Sequence, residues 1–186
     1  MKPAGDQFLY EMRAEIFRVA RLCAPCLDTL GPLTFHGDPR SAEERRRWRD
    51  TVWLPVISPA ALSAHTAMRE GAREIIAVDT LVSTRLVGPL SATSRTAGRQ
   101  LATSFHAPAG ETRLEKFIAA IKRGDSPAHF AVVYSARAAV FHIPAPVMLT
   151  SLVFLEMRAA PLGELWQSVA DCLGENLPTN QGLRAA

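Results

Sequence analysis

Cys23-Ala24-Pro25-Cys26 has the spacing of a redox dithiol or of half a zinc site. A redox pair needs a strand running into a helix to lower the thiol pKa, and zinc needs two further ligands at suitable spacing. Here the pair ends a helical pattern, Cys172 is distant, and His36 is the only nearby imidazole. Structural thiols are the expected reading, and the metal content of the purified protein is its check. His65, His129 and His142 are the interior histidines. A metal site on one helix needs a histidine or carboxylate three or four residues away. His129 has none, His65 has Arg69 four residues on, and His142 sits beside prolines. Each is expected to be buried and hydrogen-bonded. Ser94 and Asp79 cannot be joined to a histidine as a nucleophile triad from sequence. No Gly-rich phosphate loop or dinucleotide fingerprint is present.

Arg45, Arg46, Arg47 and Arg49 follow Ser41-Ala42-Glu43-Glu44, a capping box in which Ser and Glu satisfy each other's exposed amides. A nucleic-acid contact is the sharp reading of this run. A solvated helix face balanced by Glu43, Glu44 and Asp50 is the expected one, since a net charge of +3 is too small to argue for nucleic acid.

The elements that must position these groups are helices. The pattern predicts a first helix over 6–24 with Phe8, Met12, Ile16, Val19 and Cys23 buried, stopped by Pro25, then a Gly/Pro-rich loop over 27–39. Ser58-Pro59 reads as a fresh cap-then-proline start for a helix to Arg69, with Gly71 as its C-terminal cap. Helices are expected over 73–86, then, after a turn at Gly88-Pro89, to about Phe105, and over 111–123, with Gly124 ending the last. Ser91, Thr93, Ser94, Thr96 and Thr103 give the middle one a face that lets another helix approach closely or stays wet. Strand alternation is hardly seen.

Residues 129–163 are the best-defined segment. Ser126-Pro127 is expected to start a helix to about Phe141 that is apolar nearly all round and therefore buried. Pro144 and Pro146 break it. A second apolar helix over 146–159 carries Met148, Leu152 and Leu155, and Pro161 ends it. A membrane hairpin would need roughly 20 consecutive apolar residues per span. His142 and the prolines interrupt the run, and Glu156 and Arg158 close it. A last helix is expected over 164–173. With 186 residues, 48% hydrophobic and 21% charged, the chain is long enough for one real core. One all-α domain is expected over 1–178, a helical bundle with a buried apolar hairpin near its end, followed by a frayed tail over 179–186. No signal peptide is visible, since Asp6, Glu11, Arg13 and Glu15 interrupt any hydrophobic run, so the cytoplasm is the expected location.

The order and spacing of several motifs resemble the UreF family of urease accessory proteins. His129-Phe130-Ala131-Val132, Ile143-Pro144 and Arg158-Ala159-Ala160-Pro161-Leu162-Gly163 follow the family's C-terminal pattern. Glu164 departs from it, standing where the family has Gln. Upstream, Ala64-His65-Thr66-Ala67, Gly71 and Asp79-Thr80-Leu81 match more weakly, as do Leu90, Ser94, Gly98, Arg99 and Leu101. Pro89 and Ser91 replace the family's Glu and Arg. The Gly-rich N-terminal element is not recognisable.

The resemblance covers about residues 60–173. It implies a non-catalytic scaffold that acts with UreD (also called UreH) and the GTPase UreG to deliver nickel to apo-urease. No cofactor is then bound directly; a homodimer stays open, and neither nucleic acid nor membrane is a partner. Partner contacts are expected at Gly98, Arg99, Arg158, Pro161, Leu162, Gly163 and Glu164, with no catalytic and no metal-binding residue.

Each of these has a plainer reading. Arg158 suits a helix C-terminus, where the dipole favours a cation, as well as an interface, where arginine is enriched. Gly98 permits a tight helix crossing, and Pro161-Leu162-Gly163 is first a turn. Two other classes stay open: a helical ligand-binding or regulatory domain with the hairpin lining a pocket, and an all-α enzyme using His129 or His142.

Overall fold

The computed structural model describes residues 4–104 and 110–173. Phe105 and the tail 179–186 lie outside the described residues, as do the side chains of Phe8, Met12 and Leu162. The described elements are helical, with no strand among them: α1 (Ala4–Cys23), a 3₁₀ turn (Leu27–Thr29), α2 (Ala42–Trp48), a π-helical stretch (Arg49–Ile57), α3 (Ser58–Glu70), α4 (Ala72–Arg85), α5 (Gly88–Thr103), α6 (Thr112–Arg123), α7 (Phe130–Val140), α8 (Ala145–Glu156) and α9 (Leu162–Leu173).

α7 is the axis of the bundle. Every residue from Phe130 to Ala139 is buried, and the helix packs chiefly against α3 and α5. α8 is buried from Val147 to Glu156 and lies chiefly on α1 and α9. The two apolar helices are therefore consecutive, but each finds its main partners elsewhere. This is how a helix apolar all round is accommodated: neighbours cover every side. Trp53, Tyr134, Phe117, Phe130 and Ile16 are among the largest side chains sealed in this core.

Three boundaries differ from expectation. Ser58-Pro59 opens α3 as expected, with Pro59 in its first turn, but with no break and no side-chain cap before it: the helical path runs on through 42–70, and Ser58 itself is helical at φ −61°, ψ −48°. The wider π turn is what allows it. The Ser58 N–H reaches back five residues to the Trp53 carbonyl, and Pro55, which has no N–H to give, sits inside the stretch. α7 begins at Phe130 rather than at Pro127, because its first amides are capped from a distant helix. α8 ends at Glu156, three residues early, because the chain turns there to grip the loop after α1. Ser41 caps α2 as expected, accepting the Glu44 N–H at 3.3 Å. The Glu44 carboxylate turns to the Asp38 N–H instead of closing the box. Gly124 closes α6 in the left-handed conformation at φ 84°, which suits a residue without Cβ.

Candidate partner-binding site

The small residues of α5 serve a close approach to the start of α7. Ser94, Ala97 and Gly98 are buried, and a Cβ built on Gly98 would stand 2.8 Å from the Ala128 carbonyl carbon and 2.9 Å from the Phe130 nitrogen. Gly98 therefore belongs to the core, and any part it plays in a partner contact runs through the position of α5. Its neighbour Arg99 is exposed. Thr93, Thr96 and Thr103 bond back to carbonyls four residues earlier, which turns their hydroxyls onto their own helix.

Asp79 of α4 is the cap that α7 lacks locally. Its carboxylate accepts the Ala128 N–H at 2.6 Å, the His129 N–H at 2.9 Å and the Ser126 hydroxyl, while Ser94 accepts the Phe130 N–H at 3.2 Å. Ala128 is held at φ 68°, a left-handed setting for a residue with a Cβ, and the bond from its N–H to Asp79 helps to hold it. Burial raises the Asp79 pKa, against the three bonds that favour its charge. His129 is fully buried, its Nε2 2.9 Å from the Ser83 hydroxyl. Burial, and then the nearby Arg95, push it down to about 4, so it is a neutral imidazole. Asp79 meets the backbone of His129 and not its ring, so Ser83, His129 and Asp79 do not form a relay.

The α8 C-terminus holds the loop after α1 from two sides. Glu156 accepts the Thr34 N–H at 2.8 Å, the Phe35 N–H at 3.0 Å and the Thr34 hydroxyl at 2.9 Å, and Trp48 donates to that same hydroxyl. Arg158 donates to the carbonyls of Leu30 and Gly31, both at 2.7 Å, and of Leu155 at 2.9 Å. A carboxylate thus takes the loop's amides and a guanidinium takes its carbonyls. Burial lifts the Glu156 pKa to about 7, against these bonds and the nearby Arg158. The loop, Thr93 of α5 and Arg158 border a cleft of about 640 Å³.

Beyond the clamp the chain turns through Pro161 and Gly163, both exposed, into α9. Leu162 is the first residue of α9. Glu164 pairs with the buried Arg45 of α2, which also donates to the Pro39 carbonyl. The residue that departs from the family pattern therefore ties α9 to α2.

Most of the remaining reactive types are absorbed by the fold; His142, expected to be buried, is the exception. Cys23, Cys26 and Cys172 are free thiols, and burial pushes Cys23 and Cys172 up to about 12, far from thiolate. His65 is 2.8 Å from the Ile143 carbonyl. His142 is exposed, at φ 56°. Arg137 donates to the Leu22 carbonyl and lies over the Phe141 ring, and burial brings it down to about 10. Among the described residues no three His, Cys, Asp or Glu side chains gather as a metal site, and no helix is long and apolar enough to cross a membrane. Glu156 was foreseen only as the end of an apolar run, and Asp79 only as a motif letter and a triad member that could not be assembled. Their signal was one carboxylate on the otherwise apolar inward face of a helix, which a buried acceptor for stray amides explains.

No curated protein and no solved structure matches the chain. The UreF family model matches residues 38–160. That span holds α2 to α8, the Asp79 cap, the Gly98 crossing, and the Glu156 and Arg158 clamp. With that much of its length matched, the chain belongs to the UreF family of urease accessory proteins.

Proposed function

We propose that this chain is a non-catalytic scaffold in urease maturation. It acts in the cytoplasm with UreD/UreH and the GTPase UreG, and nickel is the cargo handed to apo-urease rather than a metal resident in this protein. The observation that carries the reading is the family match over residues 38–160. The packing agrees with it: Asp79, Glu156, His65 and His129 are engaged within the fold, leaving helix surfaces and turns for contact.

Arg99, on the outer side of α5, and the Pro161 to Glu164 turn are the proposed contact points. Arg158 acts from behind them, holding the loop that borders the cleft. A GTPase-activating role for UreG, in which an arginine completes the partner's site, would fall to Arg99, because an arginine finger needs a free guanidinium.

The test is co-purification of the full chain with UreD/UreH, UreG and apo-urease at mild salt, followed by urease activation with nickel. Recovery of a complex that raises activation, weakened by Arg99→Glu, is the expected result. Failure to recover either a UreD-type protein or a urease subunit removes the scaffold reading. Unchanged GTP turnover by UreG in the presence of the chain removes the activating version alone.

A further inference from the structure

α4 turns Ile75, Asp79, Val82 and Leu86 into the core. A second set of its residues, Glu74, Val78, Leu81 and Arg85, recurs at steps of four, three and four. That spacing places the set on one stripe, about a quarter turn from the core-facing side. Val78 is half-buried, and Glu74, Leu81 and Arg85 are exposed, Leu81 by 51%. Val78, Leu81 and Arg85 form one wall of a groove of about 70 Å³, and Pro59, Ala60 and Ser63 of α3 line the other. Among the described residues neither Glu74 nor Arg85 takes part in an ion pair.

Each feature has a plain reading by itself. A lone exposed leucine needs no partner, and an acid in the first turn with a base in the last turn suits the helix dipole. Neither reading accounts for the symmetry of the stripe. Glu74 stands four residues before Val78, and Arg85 stands four after Leu81. The order is therefore charged, apolar, apolar, charged from either end, with the two charges opposite in sign. An antiparallel copy of the same helix, turned about a two-fold axis between Val78 and Leu81, meets it at every position. Val78 then lies against Leu81 of the second copy, and Glu74 against Arg85 of the second copy, each contact occurring twice.

We propose that this chain forms a two-fold dimer through α4, each helix laying its stripe beside the other's and its Leu81 towards the groove against α3. A two-fold interface uses the same patch on both subunits, so the patch must complement itself. The charges select the second copy over an unrelated apolar helix, and they select the antiparallel register, since a parallel pairing sets like charges together. The proposal is independent of the role in urease maturation, and its test needs this chain alone.

Sedimentation velocity of the full chain from ~1 to ~500 μM tests it. A monomer–dimer equilibrium with a Kd of about 10–100 μM is expected, because a contact along about 17 Å of helix falls short of a standard interface. Leu81→Glu, at an exposed position, is expected to leave the chain monomeric over that range. Glu74→Arg and Arg85→Glu each set like charges opposite one another at both ends of the contact. Each alone is expected to weaken the dimer about ten-fold. An equimolar mixture of these two variants is expected to recover wild-type association, because in the mixed dimer every charge again meets its opposite. A merely structural effect of either substitution would not be rescued by mixing. Circular dichroism checks that each variant is folded, and the wild type with Leu81→Glu carries the test if a charge variant unfolds. A wild type that is monomeric throughout, a dimer untouched by Leu81→Glu, or folded charge variants that do not recover on mixing overturns the proposal.

Discussion

Gly98 of α5 rests directly on the main chain at Ala128, with no room between them for a methyl group. The contact joins two helices through their backbones, so neither side has a flexible tip to move aside. Gly98→Ala gains up to about 1 kcal/mol in helix propensity, but it must push α5 off the α7 N-terminus, and overpacking of this kind costs about 1–3 kcal/mol. A net loss of stability is expected in urea unfolding. A variant as stable as the wild type would show that the crossing relaxes freely.

Asp79 is the second half of the same junction. Removing its carboxylate leaves the Ala128 and His129 N–H groups and the Ser126 hydroxyl buried without an acceptor. Unmet donors of this kind cost about 1–3 kcal/mol each, with partial relief from relaxation. Asp79→Ala is expected to lose about 2–4 kcal/mol, and Asp79→Asn less, since it keeps one acceptor oxygen. The ratio of the two losses, measured by urea unfolding, reads the cap directly. Equal losses would mean that volume, not hydrogen bonding, holds the junction.

What the sequence made legible follows from which forces are local. Apolar periodicity and Pro/Gly punctuation act within a few residues, so the helices and the buried pair over 129–163 could be read. Ser58-Pro59 marked the start of α3 but not its continuity with what precedes it, because a serine before a proline looks the same whether it follows a loop or a helical path that runs straight on. Asp79 and Glu156 were hidden for a different reason. Each satisfies amides that lie about 50 and 120 residues away, and no local pattern records where those amides will be. Arg158 and Glu164 were named from family likeness as contact residues; the structure gives each an intramolecular partner that spacing alone does not predict.

Glu156 gives the protein an acid-side stability with a definite sign. Its folded pKa of about 7 lies above its ordinary 4.5, so the folded state binds the proton more tightly. That contribution is fully present below about pH 4.5 and is lost as pH rises through 7, on the order of 3 kcal/mol. His129 works in the opposite direction. Its folded pKa of about 4 lies below its ordinary 6.5, so its contribution is present above 6.5 and is lost as pH falls through 4. Between these limits the two offset each other, and wild-type stability is expected to be nearly flat from pH 4.5 to 6.5. Glu156→Gln removes one side of the balance, so its stability should fall as pH is lowered across that window. Parallel pH profiles for the two proteins would exclude Glu156 as the group responsible.

Arg158 decides between two ways in which a residue can matter to a partner. Its three bonds to Leu30, Gly31 and Leu155 carbonyls make it a clamp on the loop after α1. A lysine keeps the charge but concentrates it at one nitrogen, which cannot span carbonyls on both the loop and α8 as a planar fork does. Arg158→Lys and Arg158→Ala are therefore both expected to raise amide exchange at Leu30, Gly31 and Leu33 to Phe35, by about ten-fold for a loss near 1.4 kcal/mol. If the clamp is the route to function, both variants lose UreD/UreH recovery in step with that exchange. If Arg158 instead touches the partner through its charge, the lysine variant retains binding while its loop loosens. Retained binding together with raised exchange would separate the two roles and leave the loop as packing alone.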